Sequence, residues 1–309
     1  MKIPVVFWSG QSIKLVNFGI FAAFGSTLGY SISFFYLHTR GIQDTSFYWA
    51  MALILVLFNL FFAKFYSIFS IGLSNYFGNF RHFINETSFY QQGGIIGLIL
   101  GTLLLYFISG IPIALLGDAV CLGGIVIMFV GRIGCHYYGC CTGKPMTGRF
   151  GVIYTDVNAK ICRDDPRMMN TPLIPVQLIS SAIDFLIFII CCIVSIHYPF
   201  SGLIMMIFFI GVNFKRIVIQ KFRLKTNTNK IPYRWVAFTL IVSFIIILLI
   251  FHTIGQKFFE LIPSEVPVKV INYFRFLISD LNILTSLMVV GAINFAAYGI
   301  NGRRVGTHF

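Results

Sequence analysis

The densest chemistry in this sequence lies in Gly131-Arg132-Ile133-Gly134-Cys135-His136-Tyr137-Tyr138-Gly139-Cys140-Cys141-Thr142-Gly143-Lys144-Pro145. Arg132 ends an apolar run, where a charge is costly unless it snorkels to water or meets an anion. Gly131 and Gly134 clear space around it, and a planar fork of donors suits a pair of phosphate oxygens. A snorkelling arginine at a helix end fits the same residues. Cys135, His136, Cys140 and Cys141 are ligand types that suit zinc. Adjacent cysteines with interleaved tyrosines do not match the usual paired spacing, however, and no second cluster completes it. Neither a metal nor another cofactor is therefore expected, and a disulfide or redox role for two of these cysteines stays open.

A second basic group is Lys215-Arg216-Ile217-Val218-Ile219-Gln220-Lys221-Phe222-Arg223. On a helix, positions 216, 220 and 223 share a face, which suits either a headgroup grip or a simple positive anchor beside a span. Asp118 and Asp184 lie within or beside apolar segments, and intramembrane carboxylates are candidates for function. Gln177 and Asp184 share a helix face. For these carboxylates, pairing with an arginine of a neighbouring helix is the structural alternative. Gly93, Gly97 and Gly101 line one face and permit close helix approach.

The elements that must hold these residues are transmembrane helices. Apolar residues make up 57% of the 309-residue chain, charged residues 11%, and the mean hydropathy is +0.85, too little polar surface for a water-soluble globule. A helix crossing the hydrocarbon core needs about 20 mostly apolar residues. Such runs fall at 15–37, 47–69, 93–110, 119–134, 176–196, 202–218, 235–251 and 281–300. The expected fold is an all-α polytopic bundle of about 7–8 spans, with 252–280 amphipathic and interfacial. The joint between the third and fourth spans is expected to include Gly110-Ile111-Pro112 and the polar pair Gly117-Asp118. Lys2 and Lys14 precede a first run too long for a signal-peptide core, so it reads as a retained span. The net charge of +13 would suggest nucleic acid in a soluble protein. Here the basic residues cluster in loops and span ends, where they meet lipid phosphates instead, and no nucleic-acid partner is expected. The seven cysteines do not suggest a full disulfide framework, and Cys191 and Cys192 read as packing residues.

Taken in order, these motifs resemble the prolipoprotein diacylglyceryl transferase family. Gly93-Gly94-x-x-Gly97 is similar to a His-Gly-Gly segment opening a span. Asp118 stands thirteen residues before Gly131, as an Asp does before the Gly-Arg-x-Gly signature that Gly131-Arg132-Ile133-Gly134 matches. Pro175-Val176-Gln177-Leu178 resembles Pro-x-Gln-Leu, and Arg216-x3-Gln220-x2-Arg223 resembles Arg-x3-Glu-x2-Arg. Gly139-Cys140-Cys141-x-Gly143-Lys144-Pro145 looks like a divergent branch with Gly-Cys-Cys where the main branch has Asn-Gly-Glu. The resemblance covers about 15–223, two thirds of the chain.

The resemblance implies a multi-pass protein of the bacterial cell (inner) membrane that moves a diacylglyceryl group from phosphatidylglycerol to a cysteine thiol of a preprolipoprotein. It implies catalytic roles for Arg132 and Arg216 at the phosphate. Gln92, Gly93, Gly94, Gly131, Gly134, Cys135, Gly143, Gln177, Arg223 and Lys64 are the implied substrate-binding residues. The departures are Gln92 for the family's His, Cys135 for Asn, Cys140 for Glu, Phe18 for Tyr, Lys64 for Arg and Ile179-Ser180 for Tyr-Glu. Glutamine is no general base near neutral pH, so His136 is expected to take that role. Residues 1–251 are expected to form the transferase-like domain, and 252–309 an amphipathic segment with an additional span. Loop charge puts the basic stretches and both termini in the cytoplasm, whereas the resemblance puts the site on the outer face. Two alternatives keep the lipid: a transferase with another acceptor, and a non-catalytic lipid-binding or transport protein.

Overall fold

The computed structural model describes residues 4–10, 13–66, 91–147, 150–198, 200–224 and 268–302. Among them the chain is an all-α polytopic membrane bundle. Its helices are α1 (Asn17–Thr39), α2 (Thr45–Phe65), α3 (Gln91–Ser109), α4 (Ile113–Tyr138), α5 (Lys160–Asp164), α6 (Val176–His197), α7 (Leu203–Gln220), α8 (Val270–Ser279) and α9 (Leu281–Gly299). Six of them, α1, α2, α4, α6, α7 and α9, are long and apolar enough to cross a membrane, and α3 contributes the shorter apolar stretch Gly93–Ser109. The expected span 235–251 lies outside the described residues.

The helices alternate in direction, and small residues let them approach closely. A Cβ on Gly29 of α1 would lie 2.6 Å from the Gly123 carbonyl oxygen of α4, and Ser33 Oγ donates to Ala119 O at 2.8 Å. One on Gly97 of α3 would meet Phe58 O of α2 at 2.3 Å, so the glycine face at 93, 97 and 101 is a helix-packing face. One on Gly19 of α1 would lie 2.2 Å from Gly299 Cα of α9. Consequently the starts of α1, α3 and α6 meet the ends of α2, α4, α7 and α9 at one end of the bundle.

The fourth span is longer than its apolar run suggests. It is expected at 119–134 with Gly117-Asp118 in the joint, but α4 begins at Ile113 and takes both residues into the helix. Asp118, with 0% of its surface exposed, accepts from Gly202 N at 2.7 Å and Met205 N at 2.8 Å. Those are orphan donors at the start of α7, so the carboxylate caps that helix from a neighbouring one.

Short strands cover the end of the bundle where α4 terminates. Strands β1 (Val6–Ser9) and β2 (Ile13–Val16) precede α1 and pair antiparallel, and β5 (Ile300–Gly302), after α9, pairs with β2. Strands β3 (Val152–Ile153) and β4 (Pro172–Leu173) pair within the 139–175 connection. Their side chains build a second small core around Tyr138, Tyr154, Ile161 and Leu173. At the opposite end, α8 lays Phe276 against Phe35 and Tyr48, and Tyr273 pairs with Ser31 at 2.6 Å. This helix falls within the stretch expected to be amphipathic.

Candidate functional site

Helix α4 stops at Gly139, whose φ of 77° is the left-handed cap that glycine adopts without a Cβ penalty. The Gly139 and Cys140 N–H groups both return to Cys135 O, at 3.0 and 3.1 Å. That turn folds Cys140 and Cys141 back over the last helical turn. The Sγ atoms of Cys135, Cys140 and Cys141 therefore lie within 4.8 Å of one another, each half-buried. Cys141 itself has a φ of 56°, uncommon for a residue with a Cβ. Hydrogen bonds with the Cys135 and Cys140 side chains hold its thiol well below the ordinary range. Burial opposes this, and Arg223 and Arg132 add to the lowering. The thiol of Cys140 is pushed up by its hydrogen bonds to Cys135 and Cys141 and by burial.

Gln177, 2% exposed at the start of α6, donates Nε2 to Cys140 O at 2.7 Å and approaches Tyr154 OH at 3.4 Å. Tyr154 OH donates to His136 O at 3.0 Å. These bonds pin the turn from two sides. Beyond it, 142–146 runs between two partners. Leu224 N donates to Thr142 O at 3.0 Å and Lys144 N to Phe222 O at 2.9 Å, while Ile174 N donates to Lys144 O at 3.0 Å. Gly143 faces Arg223 across this bridge, and a Cβ on it would lie 2.5 Å from Ile174 O.

This bridge corrects one expectation. Arg216, Gln220 and Arg223 are expected on one helix face, but α7 ends at Gln220. Arg223 is carried by the bridge to Gly143, because Thr142 and Lys144 capture the backbone around it. Arg216 still lies within electrostatic reach of both Arg223 and Arg132, and also of Tyr66 at the end of α2. Three guanidinium groups, from α4, α7 and the segment after α7, thus gather at the same end of the bundle. Beneath them Lys215 Nζ meets Asp184 Oδ1 at 2.5 Å, with the two side chains 4% and 0% exposed. Asp184 is within reach of Arg132 as well.

The remaining expected residues occupy varied positions. Gly134 is packed against α1, where a Cβ would lie 2.8 Å from Phe21 Cβ. Gly131 faces open space, with nothing within 4 Å of a Cβ built there. Gly93 and Gly94 are buried against α2, and Lys64 lies half-buried in the last turn of α2. Gln92 is in the first turn of α3, and its side chain lies outside the described residues. His136 is buried one turn beyond Arg132, its Nδ1 without a hydrogen-bond partner, and it is not part of the thiol group.

An apolar groove opens between α3, α4 and α7, lined by Ile99, Val120, Gly124, Met205 and Phe208 among others. Gly124 and Gly131 share one face of α4, and Arg132 lies about 12 Å along the helix from Gly124 at ~1.5 Å per residue. The groove face thus continues into the open space beside Arg132.

Sequence reasoning missed the inward role of Lys215 and the brace at Tyr154. Asp184 was the available signal for the first, since a buried carboxylate must meet a cation or N–H donors. Nothing local marks Tyr154, whose partners are distant in sequence.

A family model described as prolipoprotein diacylglyceryl transferase matches residues 4–254. A relative named phosphatidylglycerol–prolipoprotein diacylglyceryl transferase 2, from Clostridium perfringens (strain 13 / Type A), is 35% identical over 106 residues. That match covers 34% of this chain and 38% of the relative's length.

Proposed function

The chain belongs to the prolipoprotein diacylglyceryl transferase family, and from that premise we propose that it transfers the diacylglyceryl group of phosphatidylglycerol to a cysteine thiol of a prolipoprotein at the bacterial inner membrane. The observation that carries this reading is the convergence of Arg132, Arg216 and Arg223. Like charges gathered at the end of an apolar bundle repel one another and are stabilised by an anion between them. A phospholipid supplies that anion together with two chains for the apolar groove, whose α4 face leads to Arg132.

The reaction breaks one C–O bond. The acceptor thiol gives up its proton, for which His136 is the candidate base, and the thiolate attacks the glyceryl carbon bonded to the phosphate oxygen. A C–S bond forms as the C–O electron pair moves to that oxygen, and glycerol phosphate leaves. Arg132 and Arg216 offset the charge that develops on the leaving phosphate, and Arg223 extends the anion site. Gly131 leaves room for the headgroup. Gln177 acts as a positioning residue through the Cys140 carbonyl.

The test is purified full-length protein in detergent, supplied with phosphatidylglycerol and a cysteine-containing lipobox peptide, with the peptide followed by mass spectrometry. A diacylglyceryl adduct that disappears with Arg132→Ala supports the reading. Absence of adduct with the wild type, while headgroup-dependent phospholipid binding persists, overturns it in favour of another acceptor or a lipid-binding role.

A further inference from the structure

The thiol group at the end of α4 is unused in the reaction just described. We propose that Cys135, Cys140 and Cys141 together hold one thiophilic divalent cation of the zinc class, with its fourth position open to the acceptor thiol. The cation site stands on the thiol geometry alone, and only the identity of the fourth ligand rests on the transferase reading.

Two features of the structure point this way. The sulfurs already lie within 4.8 Å of one another. Zinc binds thiolate sulfur at about 2.3 Å, which sets tetrahedral sulfur–sulfur separations near ~3.8 Å. The required contraction is therefore about an ångström, within the reach of side-chain rotation. Among the described residues, no His, Asp or Glu joins the three sulfurs. Three protein ligands with an open fourth position distinguish catalytic zinc sites from closed structural ones.

Charge and support also fit. Three thiolates and a divalent cation leave one net negative charge, and a fourth thiolate makes it two. Arg132 and Arg223 are both within electrostatic reach of Cys141, so two positive charges already flank the site. Gln177 Nε2 fixes the Cys140 carbonyl at 2.7 Å, the kind of outer bond that orients metal ligands. The left-handed conformation of Cys141, φ 56°, is backbone strain of the sort that collects at ligand clamps. A disulfide uses only two of the three sulfurs.

The consequence is chemical. A thiol bound to zinc is held as thiolate, so the acceptor needs only a modest proton acceptor such as His136.

The site is tested on full-length protein purified in detergent after growth with zinc. Metal analysis is expected to find about one zinc per chain. Occupancy should fall by roughly tenfold or more in Cys135→Ser, Cys140→Ser and Cys141→Ser, while Cys121→Ser and Cys191→Ser retain it. Because serine variants risk misfolding, the wild type supplies a second reading. Bound zinc should protect these three cysteines from alkylation, mapped by peptide mass spectrometry, and a chelator should remove that protection. With cobalt in the site, a lipobox cysteine peptide should change the visible absorption and its serine analogue should not. Zinc-free wild-type protein, zinc unaffected by the three substitutions, or two thiols recovered only after reduction would each overturn the proposal. Diacylglyceryl transfer by zinc-free protein would overturn the cation's part in holding the acceptor thiol while leaving the transferase reading intact. Zinc held by these cysteines without transfer would do the reverse.

Discussion

The Lys215–Asp184 pair permits the most quantitative test of how the site is held. The contact is 2.5 Å and neither side chain exposes more than 4% of its surface. Asp184→Ala leaves the Lys215 ammonium buried without its carboxylate, beside Arg132 and Arg216. Breaking a buried pair by removing one partner costs about 3–5 kcal/mol. At the lower end of the usual shift of roughly 2–4 °C per kcal/mol, that is about 6–10 °C in melting temperature. The double variant Asp184→Leu with Lys215→Met replaces the pair by packed apolar groups, an exchange that is often neutral or stabilising. It should therefore recover most of the loss. Unfolding can be followed in detergent by a thiol-reactive dye, because Cys191 and Cys121 are 0% and 8% exposed and become reactive only when the bundle opens. If Asp184→Ala melts within about 1 °C of wild type, or if the double variant loses the sum of the two single losses, the pair does not hold α6 to α7.

Other substitutions separate packing from chemistry. A Cβ at Gly131 meets nothing within 4 Å, so Gly131→Leu should keep wild-type stability and weaken phosphatidylglycerol binding, read by lipid titration. Gly134→Leu meets Phe21 Cβ at 2.8 Å and should cost about 1–3 kcal/mol, read as a lowered melting temperature. His136→Ala should abolish peptide modification while Gln92→Ala leaves it, and the opposite pattern would remove His136 from the proton step. Gln177→Ala should raise alkylation of Cys140 in the folded protein, because its carbonyl loses the 2.7 Å bond. Lys144 is exposed at the site end of the bundle. A Lys144→Cys variant should be labelled in intact cells by a membrane-impermeant maleimide, above the wild-type background, if the site faces outward; protection until the cells are opened would place that end in the cytoplasm.

The bundle was legible because its determinants are local. Apolar runs of span length announced α1, α2, α6, α7 and α9 almost to their ends, and spaced glycines announced a close-packing face on α3, whose partner α2 only the structure gives. Asp118 was misjudged as part of a joint, because the groups that satisfy it, Gly202 N and Met205 N, belong to a helix far along the chain. Arg223 was assigned to a helix face on spacing alone, whereas the backbone of 142–144 decides its position. For the thiols, motif spacing argued against a metal site and left a disulfide or redox role for two of them open. The left-handed turn at Gly139 then reversed the chain and brought them together. Spacing measures distance along one regular element and fails where that element ends.

The two parts of the site have different mechanics. The thiol group lies within seven consecutive residues, 135–141, and its geometry is closed by the cap of a single helix. Gln177 ties it to α6 as well, so it travels with the α4–α6 pair. The guanidinium group is distributed over α4, α7 and the bridge at Gly143, so any parting of α4 from α7 that admits a lipid from the side changes the spacing of its charges. On the transfer reaction proposed above, a parting of α4 from α7 loosens the hold on the lipid donor while the thiol group keeps its geometry, so the order in which donor and acceptor enter need not be fixed by the fold.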